Sequence, residues 1–507
     1  MLMVPERPPD NAPKTFRLSK SKYLSGLQCQ KRIYLEIHEP ELAAERDEAM
    51  QALLDRGTEL GELARQRFLG GVLVEADYRH RTEALQRTQD LLRDPTVPAI
   101  FEGAFEFDQV LVRVDILERA GVTDDGTATW RLIEVKSSSK VKAVHLDDLS
   151  VQAYVLTGAG IVLSGAYILH INTQYIYKGG EYDLLQLFAL QDLTAVAIAR
   201  RADVQARLPE MRTTLALPSP PEIEPDGHCH TPYECPFWDH CTKDKPVRWI
   251  YYLPGGDRAI QQLVRKGIQT IDEIPAGVKL SPAQHRVKNN VEWIGPGLEA
   301  VLQTARYPVH HLDFETFMVG LPKFPMTRPY EPIPMQWSNH IQTMDGEVDH
   351  HEYLCMDLKD PREELALALL QSVGHEGSIC VYSPYERSIL ERLGHALPSL
   401  KRELQGLITR LWDLFSVIRD HYYHPDFQGS FSIKSVLPAV VPSLGYQDLD
   451  IQEGEMAVHH YYQMVFMETD WVEKLRIREA LLRYCERDTL GMLELRKALR
   501  EKTARRY

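Results

Sequence analysis

Several stretches of this chain carry residues spaced for chemistry. In Leu132-Ile133-Glu134-Val135-Lys136 a strand sets Glu134 and Lys136 on one face, because residues i and i+2 point the same way. Upstream, residues 110–117 form an apolar run interrupted by Asp115. Asp115 and Glu134 could hold Mg²⁺ or Mn²⁺, which take oxygen ligands and keep several waters. Lys136 would then orient a water or steady charge on a phosphate, the chemistry of phosphodiester hydrolysis. A second strand, opening at Tyr307, places Asp313 and Glu315 on one face as another candidate metal pair. Near the C-terminus Tyr484 and Asp488, four apart, share the face of a helix. Cys229, Cys235 and Cys241 are separated by five residues each, and Cys29 stands far upstream. Thiolates are soft ligands suited to zinc or iron–sulfur clusters; this spacing is looser than the tight pairs of structural zinc. The doubled histidines at 310–311, 350–351 and 459–460 read as structural or surface residues, because neighbours on a strand face opposite ways.

The elements that must position these groups follow from pattern. Ser19 is an N-cap for a short helix leading to Cys29. Residues 45–69 read as a charged amphipathic helix, 72–75 as a strand and 83–92 as a helix. A hairpin spans 99–107 and 109–118, followed by the Glu134 strand, a helix at 147–156 and a strand at 161–171. Residues 175–182 suggest a small hairpin and 185–208 one helix. Residues 242–306 carry ten Lys or Arg against six acids, a surplus of four. Beyond them a meander of strands at 307–317, 334–341 and 348–355 leads to a helix at 361–372 and a strand at 378–382. Glu386 opens the next helix.

Length bounds the reading at about three to four domains for 507 residues. A 44% hydrophobic fraction is ordinary for a globular chain, and no run approaches the roughly 18 apolar residues of a membrane span. Residues 1–14 look like a disordered lead-in, and a cytoplasmic location is expected. The formal charge of −14 argues against a general nucleic-acid coat protein. It leaves a nuclease open, since bound cations offset carboxylates. Seven cysteines do not make a disulfide scaffold at this length. Cys355, Cys380 and Cys485 read as core thiols.

An acid on one strand and E-x-K on the next, within helices around a mixed sheet, resemble the PD-(D/E)XK nucleases, in particular their RecB-type branch, over roughly residues 15–245. The resemblance implies metal-dependent DNA cleavage at Asp115 and Glu134, assisted by Lys136, with Gln152 near the substrate. Two positions depart from it. Gly61 stands where the family often has a histidine, with Glu59 and Glu62 beside it as stand-ins. Tyr154 lies two residues from Gln152 instead of four, so it is assigned to the core. One distant cysteine with a trio after the nuclease core resembles the iron–sulfur RecB-like nucleases, such as the AddB subunit and CRISPR-associated exonucleases. This implies a structural [4Fe–4S] cluster on Cys29, Cys229, Cys235 and Cys241, with zinc as the alternative.

Residues 305–500 resemble the DnaQ-like, ribonuclease H-fold exonucleases of the DEDD group that use a tyrosine. The matching residues are Asp313, Glu315 and Asp488, with Tyr484 in Y-x₃-D. The resemblance implies two metal ions held by four carboxylates and hydrolysis from a 3′ end. Its second motif departs: Glu386 is favoured as the fourth carboxylate and Asp413 is the rival. The arrangement, with Gln336-Trp337-Ser338, also resembles an uncharacterised bacterial domain found fused to RecB-like nucleases. Between the two regions, 246–305 forms a basic helical joining segment in which Leu263 to Pro275 resembles a helix-hairpin-helix module.

The expectation is therefore an α/β multidomain chain. It joins a PD-(D/E)XK mixed sheet to a ribonuclease H-like domain and acts on DNA ends or single strands in repair or defence. A helicase or defence-system partner would supply unwinding, because no G-x₄-G-K-[ST] pattern is present. The rival readings are a nucleic-acid-binding scaffold with one decayed site, and an RNA-processing nuclease.

Overall fold

The computed structural model describes residues 16–45, 48–76, 78–467 and 470–505. The expected lead-in, 1–14, lies outside them. The chain divides into two compact units, Met1–Asp244 with Gly320–Tyr330, and Lys245–Val319 with Glu331–Tyr507. The basic joining segment is thus part of the second unit. Gly320–Tyr330 joins the first through backbone bonds. Tyr177 N donates to Thr327 O (3.0 Å), Met326 N to Tyr177 O (2.6 Å), and the Tyr182 hydroxyl to Pro322 O (3.0 Å).

In the first unit Ser19 ends β1 (Leu18–Ser19) and caps α1 (Lys20–Gln28), accepting from Lys22 N. Cys29 separates α1 from α2 (Gln30–His38). Then come α3 (Glu48–Arg65), β2 (Val72–Leu73) and α4 (Arg81–Arg93). Next, β3 (Ala99–Phe107) and β4 (Val110–Val122) form a hairpin. Its two loop residues, Asp108 and Gln109, both have positive φ (46° and 58°), the backbone that matches the strand twist in a two-residue turn. β5 (Ala128–Lys136) pairs antiparallel with β4. The next partner, β6 (Val162–Ile171), is parallel to β5, which requires a crossover, and α5 (Ala143–Gly158) supplies it. The path runs β2-β3-β4-β5-β6 and closes with β7 (Phe188–Asp192), antiparallel to β6.

That last strand corrects the single helix expected over 185–208. The segment divides into α6 (Leu184–Leu187), β7, α7 (Thr194–Ala199) and α8 (Arg201–Leu215). The unpaired backbone groups along the edge of β6 are satisfied by a strand, which a helix could not do. Residues 175–182 form no strand. α9 (Trp238–Thr242) carries the last of the clustered cysteines.

The second unit opens with α10 (Asp257–Val264), α11 (Pro282–Asn289), β8 (Trp293–Ile294) and α12 (Leu298–Leu302). After the Gly267 turn the expected second helix of the hairpin module is a single 3₁₀ turn at Ile271–Glu273. β9 (Val309–Phe317), β10 (Ile333–Gln342) and β11 (Val348–Leu354) make an antiparallel meander. After α13 (Arg362–Val373), β12 (Ser378–Val381) returns parallel to β9. α14 (Tyr385–Ala396) and α15 (Lys401–Ile408) lead to β13 (Leu411–Asp413), parallel to β12. The order is β11-β10-β9-β12-β13. α16 (Leu414–His421) precedes β14 (Tyr422–Tyr423), which pairs with β8. α17 (Ile433–Val440), α18 (Gly454–Phe466) and α19 (Trp471–Ala504) complete the unit.

Helices cover both faces of β10, so it is buried almost throughout. Successive residues show the alternation. Gln336 donates to Leu481 O on α19 (2.9 Å), and the Trp337 indole donates to Leu365 O on α13 (3.2 Å). Farther along α19, buried Arg496 donates to His311 on β9 (3.2 Å). Among the described residues no helix is long and apolar enough to cross a membrane.

Candidate active sites

In the first unit three acids stand in a row across adjacent strands. Ile116 pairs with Ile133, which sets Asp115 opposite Glu134. Glu102, between the pairs Phe101–Ile116 and Gly103–Val114, lies beside Asp115 on β3. Glu102 has φ 53°, a left-handed backbone uncommon for a non-glycine residue and often found at functional positions. These acids open into a cleft of about 360 Å³, whose other wall is Gly57, Thr58 and Gly61 of α3. A Cβ built on either glycine meets nothing within 4 Å, so both face open space.

Glu134 is buried but surrounded by donors. Its Oε1 accepts from Lys136 (2.6 Å) and Lys20 (2.8 Å), and its Oε2 accepts from Gln152 (2.7 Å). Burial would raise this carboxyl; the two lysines override it and hold it well below the usual carboxylate range. Asp148 on α5 pairs with both lysines and accepts from Gln152 (2.9 Å). Burial, and then the charge of Glu134, push Asp115 up to about 7. Its Oδ2 accepts from Val135 N (2.7 Å). One oxygen of Asp115 and a lone pair on Glu134 Oε2 remain for a cation. The buried Gln152 Oε1 has no hydrogen-bond partner, the kind of orphan that a bound ion's water would satisfy. The donor set thus fits a Mg²⁺ or Mn²⁺ held by few carboxylates and several waters.

Asp115, Glu134, Lys136 and Gln152 are brought together, and Tyr154 points away, donating to Asp108 (3.0 Å). The glutamates proposed to replace the histidine of the first helix do not line the cleft: Glu59 pairs with Lys323 (3.4 Å). The acid there is Glu102, held by Arg65 (2.8 Å). Glu102, Lys20 and Asp148 were missed. Asp148 carried only a weak signal, as one of two adjacent aspartates on a largely buried helix.

The four cysteines gather at one end of the same unit. Gln28, next to Cys29, donates to His228 O (2.8 Å) and Tyr233 O (2.7 Å), and Cys235 N donates to Cys229 O (2.7 Å). Cys229 and Cys235 are buried with Tyr34, Leu35 and Phe237. Burial raises both thiols, and Cys29 and Cys241 raise them further, Cys229 to about 11. Four thiols crowded in this way, none of them in a disulfide, become good thiolates once a cation joins them.

In the second unit, acids from three distant stretches converge. Asp313 and Glu315 share a face of β9, Glu386 sits in the first turn of α14, and Asp488 lies on α19. Burial raises all four, and the charges of neighbouring acids raise Asp313, Glu315 and Glu386 further. Asp313 is held well above its usual range, Glu315 rises to about 8, Glu386 to about 7 and Asp488 to about 6. Lys434 of α17 and the Tyr446 hydroxyl, which donates to Asp488, moderate Asp488, and Lys434 also moderates Glu315. The Lys434 ammonium stands 5.7 Å from the rings of Tyr446 and Tyr484. Cys485 Sγ lies 3.7 Å from Asp313 Oδ2 and also approaches Glu315, more than a core thiol's role.

Glu386 accepts from Ser383 (3.1 Å) and faces this cluster, whereas Asp413 is spent on capping α16 through Ser416 N. Four crowded carboxylates, of which Lys434 tempers Glu315 and Asp488, form a donor set that divalent cations would neutralise. Lys434 and Tyr446 were missed because nothing local to 430–450 marks them.

Residues 310–432 match a family model described as "Domain of unknown function (DUF2779)". The span includes Asp313, Glu315 and Glu386 and stops short of Tyr484 and Asp488. No match is found among the curated proteins.

Proposed function

We infer that the chain is a metal-dependent DNA nuclease with two phosphodiesterase sites, one in each unit. The converging carboxylates carry the reading, Glu386 and Asp488 buried and Asp313 and Glu315 half-buried, because acids crowded until all are raised cluster at functional sites. A meander followed by parallel strands with helices between supports a ribonuclease H-like second unit. A β3-β4-β5 antiparallel set crossing over through α5 to a parallel β6 supports a PD-(D/E)XK-like first unit.

When bound at the acids, Mg²⁺ or Mn²⁺ supplies an activated water and stabilises the leaving oxygen. The residues do the rest. Asp313, Glu315, Glu386 and Asp488 would ligate, and Tyr484, one turn before Asp488, positions the attacking water. Tyr446 fixes the Asp488 carboxylate by donating to it. In the first unit Asp115 and Glu134 would ligate, and Lys136, which gives N–H bonds to Glu134 and Asp148, would keep a third for the phosphate. The cysteines would hold a [4Fe–4S] cluster. Zinc on the same four thiols is the alternative.

A second reading rests on Glu134. Both its oxygens already receive protein donors, so the first site could instead grip nucleic acid without cutting. Labelled single- and double-stranded DNA, with RNA in parallel, incubated with Mg²⁺ or Mn²⁺ decides. The nuclease reading expects DNA cleavage with two separable product patterns. No cleavage of any substrate with either metal overturns it.

A further inference from the structure

A second group of metal-ligating side chains lies in the second unit outside the four carboxylates. His340 on β10 and His350 on β11 are direct cross-strand partners, with ring centroids 4.3 Å apart. Glu486 on α19 joins them, and a ring nitrogen from each histidine and a carboxylate oxygen lie within 4.8 Å of one another. His340 is buried; His350 and Glu486 are half-buried.

Counting protons fixes the tautomers. The single hydroxyl proton of Thr489 goes to Glu486 O (3.0 Å). Thr489 Oγ1 must therefore accept from Ser338 Oγ (2.7 Å) and from His340 Nδ1 (2.8 Å). With its proton given to Thr489, Ser338 Oγ must accept from His350 Nε2 (2.9 Å). So His340 carries its hydrogen on Nδ1 and His350 on Nε2. His340 Nε2 and His350 Nδ1 keep their lone pairs. A metal-ligating histidine donates its other nitrogen to such an acceptor, and the two rings, stacked 24° from parallel, would turn to bring their lone pairs onto one ion. Both acceptors, Ser338 and Thr489, are fully buried and cannot turn to water.

We propose that His340, His350 and Glu486 bind a divalent transition metal, zinc foremost, at a site distinct from the carboxylates that would take Mg²⁺ or Mn²⁺. Two imidazoles and one carboxylate suit zinc, whereas magnesium takes oxygen. Three protein ligands leave a position for water. Ser338 is the cross-strand partner of Asp313, and Thr489 follows Asp488 in sequence, so the hydrogen-bonded pair stands between the two ligand sets. A metal on the histidines would tie β11 to α19 beside the acids.

The test uses the full chain, titrated with Zn²⁺ by calorimetry and with Co²⁺ by visible absorption. The wild type should bind one ion that gives weak d–d bands without a thiolate-to-cobalt charge-transfer band, which separates it from the cysteines. His350→Ala and Glu486→Gln should each lose that ion. Ser338→Ala, which leaves all three ligands in place, should weaken it about 10- to 100-fold. Asp313→Asn should keep it. If His350→Ala fails to fold, Glu486→Gln decides, because its side chain is half-exposed. Equal zinc stoichiometry and affinity in the wild type and Glu486→Gln overturns the proposal, as does loss of the ion in Asp313→Asn with retention in Glu486→Gln.

Discussion

The two acidic sites are built on opposite electrostatic plans. In the first unit, Glu134 and Asp148 are matched by Lys20 and Lys136, and Glu134 is held ionised despite its burial, while burial and the charge of Glu134 raise Asp115 and Asp148. In the second, Lys434 moderates Glu315 and, with Arg487, Asp488, yet all four carboxylates are raised. One site carries its own counter-charge. On the proposed reading, the other would be completed by cations that arrive from outside. A buried acid's neighbours thus tell more about its use than the acid itself.

The largest effect that would sharpen this contrast is on cleavage. Asp313→Ala should lower 3′-directed trimming by about 10³-fold or more, while Lys136→Ala leaves that trimming intact and removes the other product pattern. Gel analysis of end-labelled DNA reads both. If either substitution alone removes every activity in a folded protein, the two sites are one.

Cys235→Ser comes next. It should strip the iron from anaerobically purified protein and lower the melting of the first unit, leaving the second unit's transition in place. Iron and zinc analysis with calorimetry checks it; stoichiometric zinc without iron refutes the cluster.

Tyr446→Phe should weaken Mn²⁺ binding at the four carboxylates about 10- to 100-fold, because Asp488 loses the hydroxyl that orients it. Isothermal titration with Mn²⁺ measures this, and the first unit's metal binding should not change.

The smallest expected effect is on pH dependence. The raised carboxyls of the second unit bind protons more tightly folded than unfolded. Their stabilising contribution is full below the unfolded value of 4.5 and lost as the pH rises through the folded values, up to about 8 for Glu315. Without divalent ions the second unit's melting temperature should fall by about 5 °C between pH 5 and pH 8. Mg²⁺ should restore it most at pH 8, where the ligands are ionised. A flat profile by scanning calorimetry would remove the contrast drawn between the sites.

What the chain determined locally was the motif set. Period two placed Glu134 beside Lys136 and Asp313 beside Glu315; helical spacing placed Tyr484 with Asp488 and turned Tyr154 away from Gln152. These are relations within one element, and backbone geometry alone sets them. The β3–β4 hairpin and the β9–β10–β11 meander were legible for the same reason. Strand β7 was not, because its apolar pattern also suits a helix and only the open edge of β6 decides between them. Tertiary structure alone chose the company each acid keeps. Lys20 reaches Glu134 across 114 residues, Tyr446 reaches Asp488 across 42, and Glu386 turns to the cluster while Asp413 caps a helix. It also opposed His350, which the rule against adjacent histidines had set aside, to His340, which no doublet had marked. That rule concerns one strand, and cross-strand register is fixed by pairing between residues far apart in the chain.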